Sequence, residues 1–175
     1  VRVKKLTDRL AAIAGLVSLG ETVADIGADH GYLPLHLVRE GISPSAILTD
    51  KAPGPLEKAR NNVERANALY PGPEGSSITL RLGDGLSALK DSEVDVVVIA
   101  GMGGDTILSI LGADPLKAVS FRKYILQPRT KPGILRAWLA ETGWTVISEA
   151  TAEERGRVCE IIVCVPGEDS RAFRS

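Results

Sequence analysis

Cysteine is scarce in this chain: Cys159 and Cys164 are the only two, both in one apolar run, which suits neither a disulfide framework nor a paired CxxC metal site. Reduced thiols and a cytoplasmic location are expected. Histidine is equally rare, and His30 and His36 have no accompanying ligand pattern, so no metal site is expected. Aromatic residues make up 4% of the chain, and Trp138 and Trp144 are expected in the core or at a strand edge rather than as base-stacking platforms. Neither sign of charge dominates. The 21 lysines and arginines face 22 acids, a net charge of −1, which removes any global signature of nucleic-acid binding but leaves room for a local basic patch. Arg122, Lys123, Arg129, Lys131 and Arg136 are candidates for such a patch, or for an ordinary solvated face. No stretch approaches the roughly 20 apolar residues that cross a bilayer. The N-terminal apolar segment is interrupted by Asp8 and Arg9, and Leu6, Leu10, Ile13 and Val17 recur at helical spacing, which favours an amphipathic helix over a signal peptide. No membrane partner is expected, and the oligomeric state is left open.

What the chain does have is one core's worth of apolar residues, 44% of 175, arranged in alternating segments. Strands are predicted at 22–27, 45–50, 78–84, 94–101 and 123–128, and helices at 32–40, 54–69, 105–112 and 133–143. "GLSALK" makes a short helix or turn, and "WTVISEA" and "RVCEIIVCV" close the chain as two strands with no helix between them. The β-branched run "VDVVVIAG" has the character of a central parallel strand buried on both faces. The expected fold is therefore α/β and Rossmann-like: a mostly parallel seven-stranded sheet, antiparallel at one edge, with helices on both faces. Residues 1–166 are expected to form one domain, with 167–175 as a tail.

Ligands of such sheets bind beyond the carboxyl ends of the strands. After the first strand, "DIGADHGYLP" offers Gly27 and Gly31, which let a ligand approach the backbone at a helix N-terminus. A dinucleotide fingerprint would read Gly-x-Gly-x-x-G/A, but Asp29 stands where the second glycine belongs and would bring a carboxylate towards a pyrophosphate. Asp50 closes the second strand 19 residues after Gly31, where an acid can accept hydrogen bonds from both hydroxyls of a ribose; a helix cap or solvated turn acid is the alternative. Asp84 in "LGDGL" ends the third strand, where an acid can meet an adenine amino group. Two strand-end acids beside a glycine loop with no pyrophosphate motif point to S-adenosylmethionine, a nucleoside cofactor without phosphate. Three glycines in "GMGGD", after the central strand, let cofactor and substrate approach closely.

Taken in order, "RLAAIAGLV", "ADIGADHGYLP", "GDGL", "IAGMGGDTI", "ILQPR", "LRAWLAETGW" and "CEIIV" resemble the bacterial tRNA adenine-22 N1-methyltransferases, across nearly the whole chain. The resemblance implies an S-adenosylmethionine-dependent enzyme that methylates N1 of an adenine in tRNA. The cofactor set it implies is Asp25, Gly27, Gly31, Asp50, Lys51, Gly83, Asp84, Gly85, Ala100, Gly101, Met102 and Gly103. Asp29 is the implied catalytic residue, as hydrogen-bond or proton acceptor towards the adenine, with His30 and Tyr32 orienting or stacking the base. The bland alternative makes Asp29 a helix cap and His30 a turn residue. Three departures from the family pattern stand out: "TDKAPGP" replaces a Gly-Glu pair after the second strand, "LQPR" replaces LQPN, and the family's helical C-terminal region, implicated in holding tRNA, has no counterpart before Ser175. The competing reading is a cofactor-binding module without tRNA activity of its own, or a methyltransferase of another substrate. An NAD-dependent enzyme comes third.

Overall fold

A computed structural model describes residues 5–167. Thr7 opens the first helix, α1 (Asp8–Ala14), its side-chain oxygen accepting from the Leu10 N–H at 3.3 Å, and Ile13 and Ala14 turn inward. There follow β1 (Val23–Ile26), α2 (Tyr32–Arg39), β2 (Ser45–Asp50), α3 (Pro53–Leu69) and β3 (Ser77–Leu82), a short 3-10 helix (Gly85–Ala88), and then β4 (Val96–Met102), α4 (Gly104–Ala113), α5 (Pro115–Ala118), β5 (Lys123–Pro128), α6 (Pro132–Glu141), β6 (Thr145–Glu154) and β7 (Arg157–Val165). Every predicted element is present. The one-turn α5, begun by a proline and capped by the Asp114 carboxylate at 3.0 Å, was too short to show a period. The expected tail lies outside the described residues apart from Gly167.

The seven strands form one sheet in the order β3-β2-β1-β4-β5-β7-β6. β1 to β5 are parallel, whereas β7 pairs antiparallel with both β5 and β6. The terminal hairpin thus inserts its second strand beside β5 and leaves β6 at the edge. A two-residue turn, Arg155 (φ 52°) and Gly156 (φ 73°), joins the two strands; two successive positive φ values match the twist of a tight hairpin.

β4 divides its side chains between two cores, as its β-branched run implies. Val97 and Ile99 pack with Leu111, Leu135 and Tyr124 under α4 and α6, and Val96 and Val98 pack with Ile13, Leu33 and Leu37 under α1 and α2. Trp144 is buried against Tyr124 and Trp138, ring centroids 5.0 and 5.8 Å away, so both tryptophans serve packing. Among the described residues no helix is long and apolar enough to cross a membrane. Because β1 leads to β2 on one side and neighbours β4 on the other, the sheet reverses its winding at β1/β4 and opens a crevice beyond their carboxyl ends.

Candidate active site

Loop-to-strand hydrogen bonds shape that crevice. The β1–α2 loop is pinned to the end of β2, since the Thr49 carbonyl accepts from both the Gly27 N–H (2.8 Å) and the Ala28 N–H (3.1 Å). Gly27 (φ 71°) adopts the left-handed backbone that favours glycine, and the only atom near the place of a Cβ is Cε, the mobile end of the Met102 side chain. Gly31 (φ 72°) is the residue that opens α2, without any side-chain cap, so Asp29 does not cap that helix. Asp29 instead holds a left-handed conformation (φ 46°) with its side chain 68% exposed, one carboxylate oxygen 3.6 Å from His30 Nε2. His30 stacks on Tyr32 at 5.3 Å and 25° between planes, and the Asn62 side chain of α3 donates to the His30 carbonyl at 2.9 Å. A short polar turn is thus braced from behind while its side chains face outward.

The loop after β4 is held in the same way by the β5–α6 loop. The Arg129 N–H donates to the Met102 carbonyl (2.7 Å) and the Gly104 N–H to the Thr130 carbonyl (2.9 Å). Gly104 must be glycine here: a Cβ would stand 2.8 and 2.7 Å from the carbonyl oxygens of Thr130 and Lys131. Gly104→Ala is expected to force the two loops apart and to destabilise the fold by about 2 kcal/mol, read as a lowered denaturant midpoint with weaker cofactor binding; an unchanged midpoint contradicts the close approach.

A cleft of about 140 Å³ at the β1/β4 ends gathers Asp25, Gly27, Asp29, His30, Tyr32, Ala100 and Gly101, together with Arg9 and Arg129. Asp25 is 7% exposed. Burial pushes its carboxyl up to about 7, and the Arg9 guanidinium counters only part of that rise. Arg9 comes from α1, far away in sequence, and spans three elements: Nε donates to Glu154 Oε2 (3.0 Å) and Nη1 to Gln127 Oε1 (3.1 Å). Gln127 is buried, and the same Oε1 accepts the Gly101 N–H at 3.1 Å. Sequence reasoning passed over Arg9 and Gln127; the sole signal was the "LQPR" segment, whose glutamine turns out to fix the glycine loop.

The other expected cofactor residues ring the crevice outside this cleft. Asp50 accepts the Ala52 N–H with Oδ1 (2.9 Å), so its turn role is real, while its carbonyl takes the Gly83 N–H (2.9 Å) and ties the ends of β2 and β3 together. Asp84 precedes the 3-10 helix without capping it through its side chain; Gly85 follows with φ 55°. Lys51 is exposed just past β2. Met102 ends β4, and Gly103 opens α4. The basic residues around β5 do not make one patch. Lys123 lies at the opposite end of β5, bonded to Glu21 at 2.6 Å; Arg122 is 3.7 Å from Asp95; Arg136 pairs with Glu149 and Glu160, and Lys131 with Asp105. Arg129 alone of the five reaches the cleft.

Residues 6–162 match a family described as a methyltransferase domain. The tRNA (adenine(22)-N(1))-methyltransferase of Bacillus subtilis is 36% identical over 169 residues, which are 97% of this chain and 68% of that protein. The chain belongs to the tRNA (adenine(22)-N1)-methyltransferase family. Solved members superpose closely. The crystal structure of the B. subtilis M1A22 tRNA methyltransferase TrmK gives a TM-score of 0.83 at 35% identity, covering 98% of this chain and 70% of that one. M. capricolum TrmK, in complex with the cofactor product S-adenosyl-homocysteine, gives 0.79 at 32%, covering 93% and 70%. The fold of this family member is thus the Rossmann-like methyltransferase fold that its strand order describes.

Proposed function

We propose that this chain transfers a methyl group from S-adenosylmethionine to N1 of adenine 22 in tRNA, and that residues 1–166 form the methyltransferase domain. The observation that carries the reading is the crevice itself: glycines and strand-end acids around β1 to β4, joined to a polar cleft with Asp25, Asp29, His30 and Tyr32 on its walls. These residues fit an adenosyl group without phosphate. The glycine turns at 27, 85 and 101, all with positive φ, let a ligand lie against backbone, while Asp50 has an oxygen to offer ribose hydroxyls beyond the one bonded to Ala52, and the Asp84 carboxylate is not spent on a cap. Asp25, Gly31, Lys51, Gly83, Ala100, Met102 and Gly103 complete the proposed cofactor rim.

When bound, S-adenosylmethionine supplies a methyl carbon made electrophilic by its sulfonium. The chain's part is positioning and charge support. Methylation at N1 makes the base cationic, and Asp29 supports it by accepting a hydrogen bond from the exocyclic amine or by taking its proton. The stacked His30 and Tyr32 rings offer a surface on which the adenine can lie. N1 sits on the Watson–Crick edge, so the base must be unpaired or flipped before it enters. Cytoplasmic tRNA is the substrate this reading requires.

Two measurements test it. Calorimetry with S-adenosylmethionine is expected to show saturable binding, and labelled methyl transfer to unmodified tRNA is expected to vanish when position 22 carries guanine. Absence of cofactor binding contradicts the reading. Binding without transfer to any tRNA replaces it with the cofactor-holding module.

A further inference from the structure

A second groove, of about 570 Å³, adjoins the cleft and shares Arg9 and Arg129 with it; its other walls are Thr130 and the β6–β7 hairpin, including Glu154, Arg155 and Arg157. Its charge is lopsided for a chain of net charge −1: four arginines face one glutamate. That glutamate is already committed. Burial would raise the Glu154 carboxyl, but hydrogen bonds from Thr7 and Arg9 hold it below its ordinary range, with Arg155 adding to the effect. Among the described residues neither Arg129 nor Arg157 pairs with a carboxylate, whereas Arg81 and Arg136 elsewhere are bonded to Glu93, Glu149 and Glu160. Exposed arginines without acidic partners, set around a concave surface of a size that holds ligands, form an anion site. Pro128, Cys159 and Val158, the last 71% exposed, add apolar wall, which suits ribose and base edges beside a phosphate.

We propose that this groove holds the phosphodiester backbone of the RNA strand that delivers the target adenine, with Arg129, Arg155 and Arg157 as its phosphate-binding residues. The proposal rests on the tRNA-methylating reading above. A base taken out of its stack stays tethered to its backbone, so phosphates flanking the target must pass close to the cleft mouth, and the shared wall of Arg9 and Arg129 puts the groove there. The tight turn at Arg155 and Gly156 presents two arginines from a rigid hairpin rather than a loose loop, which fixes register as well as adding charge.

The test uses the full chain and its R155Q/R157Q variant in methyl transfer to unmodified tRNA between 50 and 200 mM salt. KM for tRNA is expected to rise about tenfold or more with kcat within about twofold, and the slope of log affinity against log salt to become shallower by about one to two. Cofactor affinity and the thermal midpoint stay as in the wild type, and R155K/R157K recovers at least part of the lost affinity. Wild-type KM and salt slope in the double glutamine variant overturn the groove while leaving the methyltransferase reading intact. A wild-type chain that binds S-adenosylmethionine but methylates no tRNA overturns that reading and the groove with it.

Discussion

Asp29→Ala is expected to lower methyl transfer to tRNA by about a hundredfold or more, within the range that a positioned acid or base contributes, with the dissociation constant for S-adenosylmethionine changed less than about threefold. Asp29 is not held in place by a helix cap, and its carboxylate is largely exposed beside His30 at the wall of the cleft. Little folding energy is therefore at stake in its charge. Its left-handed backbone (φ 46°) does matter, because alanine tolerates that region less well than aspartate or asparagine. Asp29→Asn supplies the control: it keeps the backbone preference and an acceptor oxygen but loses the negative charge and the base. If the charge or the base supports the transition state, the asparagine variant falls in kcat with KM for tRNA little changed. Activity of the alanine variant within about threefold of wild type removes Asp29 from the chemistry and leaves His30 and Tyr32 to be tested.

Asp25→Asn is expected to make the protein more stable at pH 8 while changing it little at pH 4. The folded carboxyl stands at about 7 against an ordinary value of 3.8, with burial as the largest cause. Between those values the folded state retains a proton that the unfolded chain has released, so wild-type stability falls as pH rises from about 4 to 7 and is flat beyond. A shift of about three pKa units corresponds to about 4 kcal/mol at full development. Asparagine has no charge to bury, so the gap between variant and wild type opens over that window. Thermal midpoints measured from pH 4 to 8 read it directly; a gap independent of pH contradicts a carboxyl held protonated by burial. Because Asp25 lines the cleft, the same variant is expected to bind S-adenosylmethionine more weakly.

The positions of the candidate site residues at the strand ends were legible because their signals are local. The misplaced second glycine of "DIGADHG" and the acids at 50 and 84 each sit at a strand end, and strand ends follow from hydrophobic runs and the turns that stop them. The antiparallel hairpin was equally legible, since two strands in succession need no crossover. The basic residues around β5, open in the sequence between one patch and a solvated face, are divided by the fold for a physical reason: a six-residue strand carries Lys123 and Arg129 to opposite ends of the sheet, so neighbours in sequence need not share a surface.

The sequence by itself determined the order of strands and helices, glycines at which the chain turns, and the kind of cofactor to expect. These depend on residue type and on spacing within about twenty positions. Only the tertiary structure decided that Arg9 reaches Gln127 and Glu154, 118 and 145 residues away, that Gln127 holds the glycine loop, and that Asp25 is buried deeply enough to keep a proton near neutral pH. Burial and charge partnership belong to the whole packed sheet, because they depend on which distant segments exclude water from a given atom, and no local pattern encodes that.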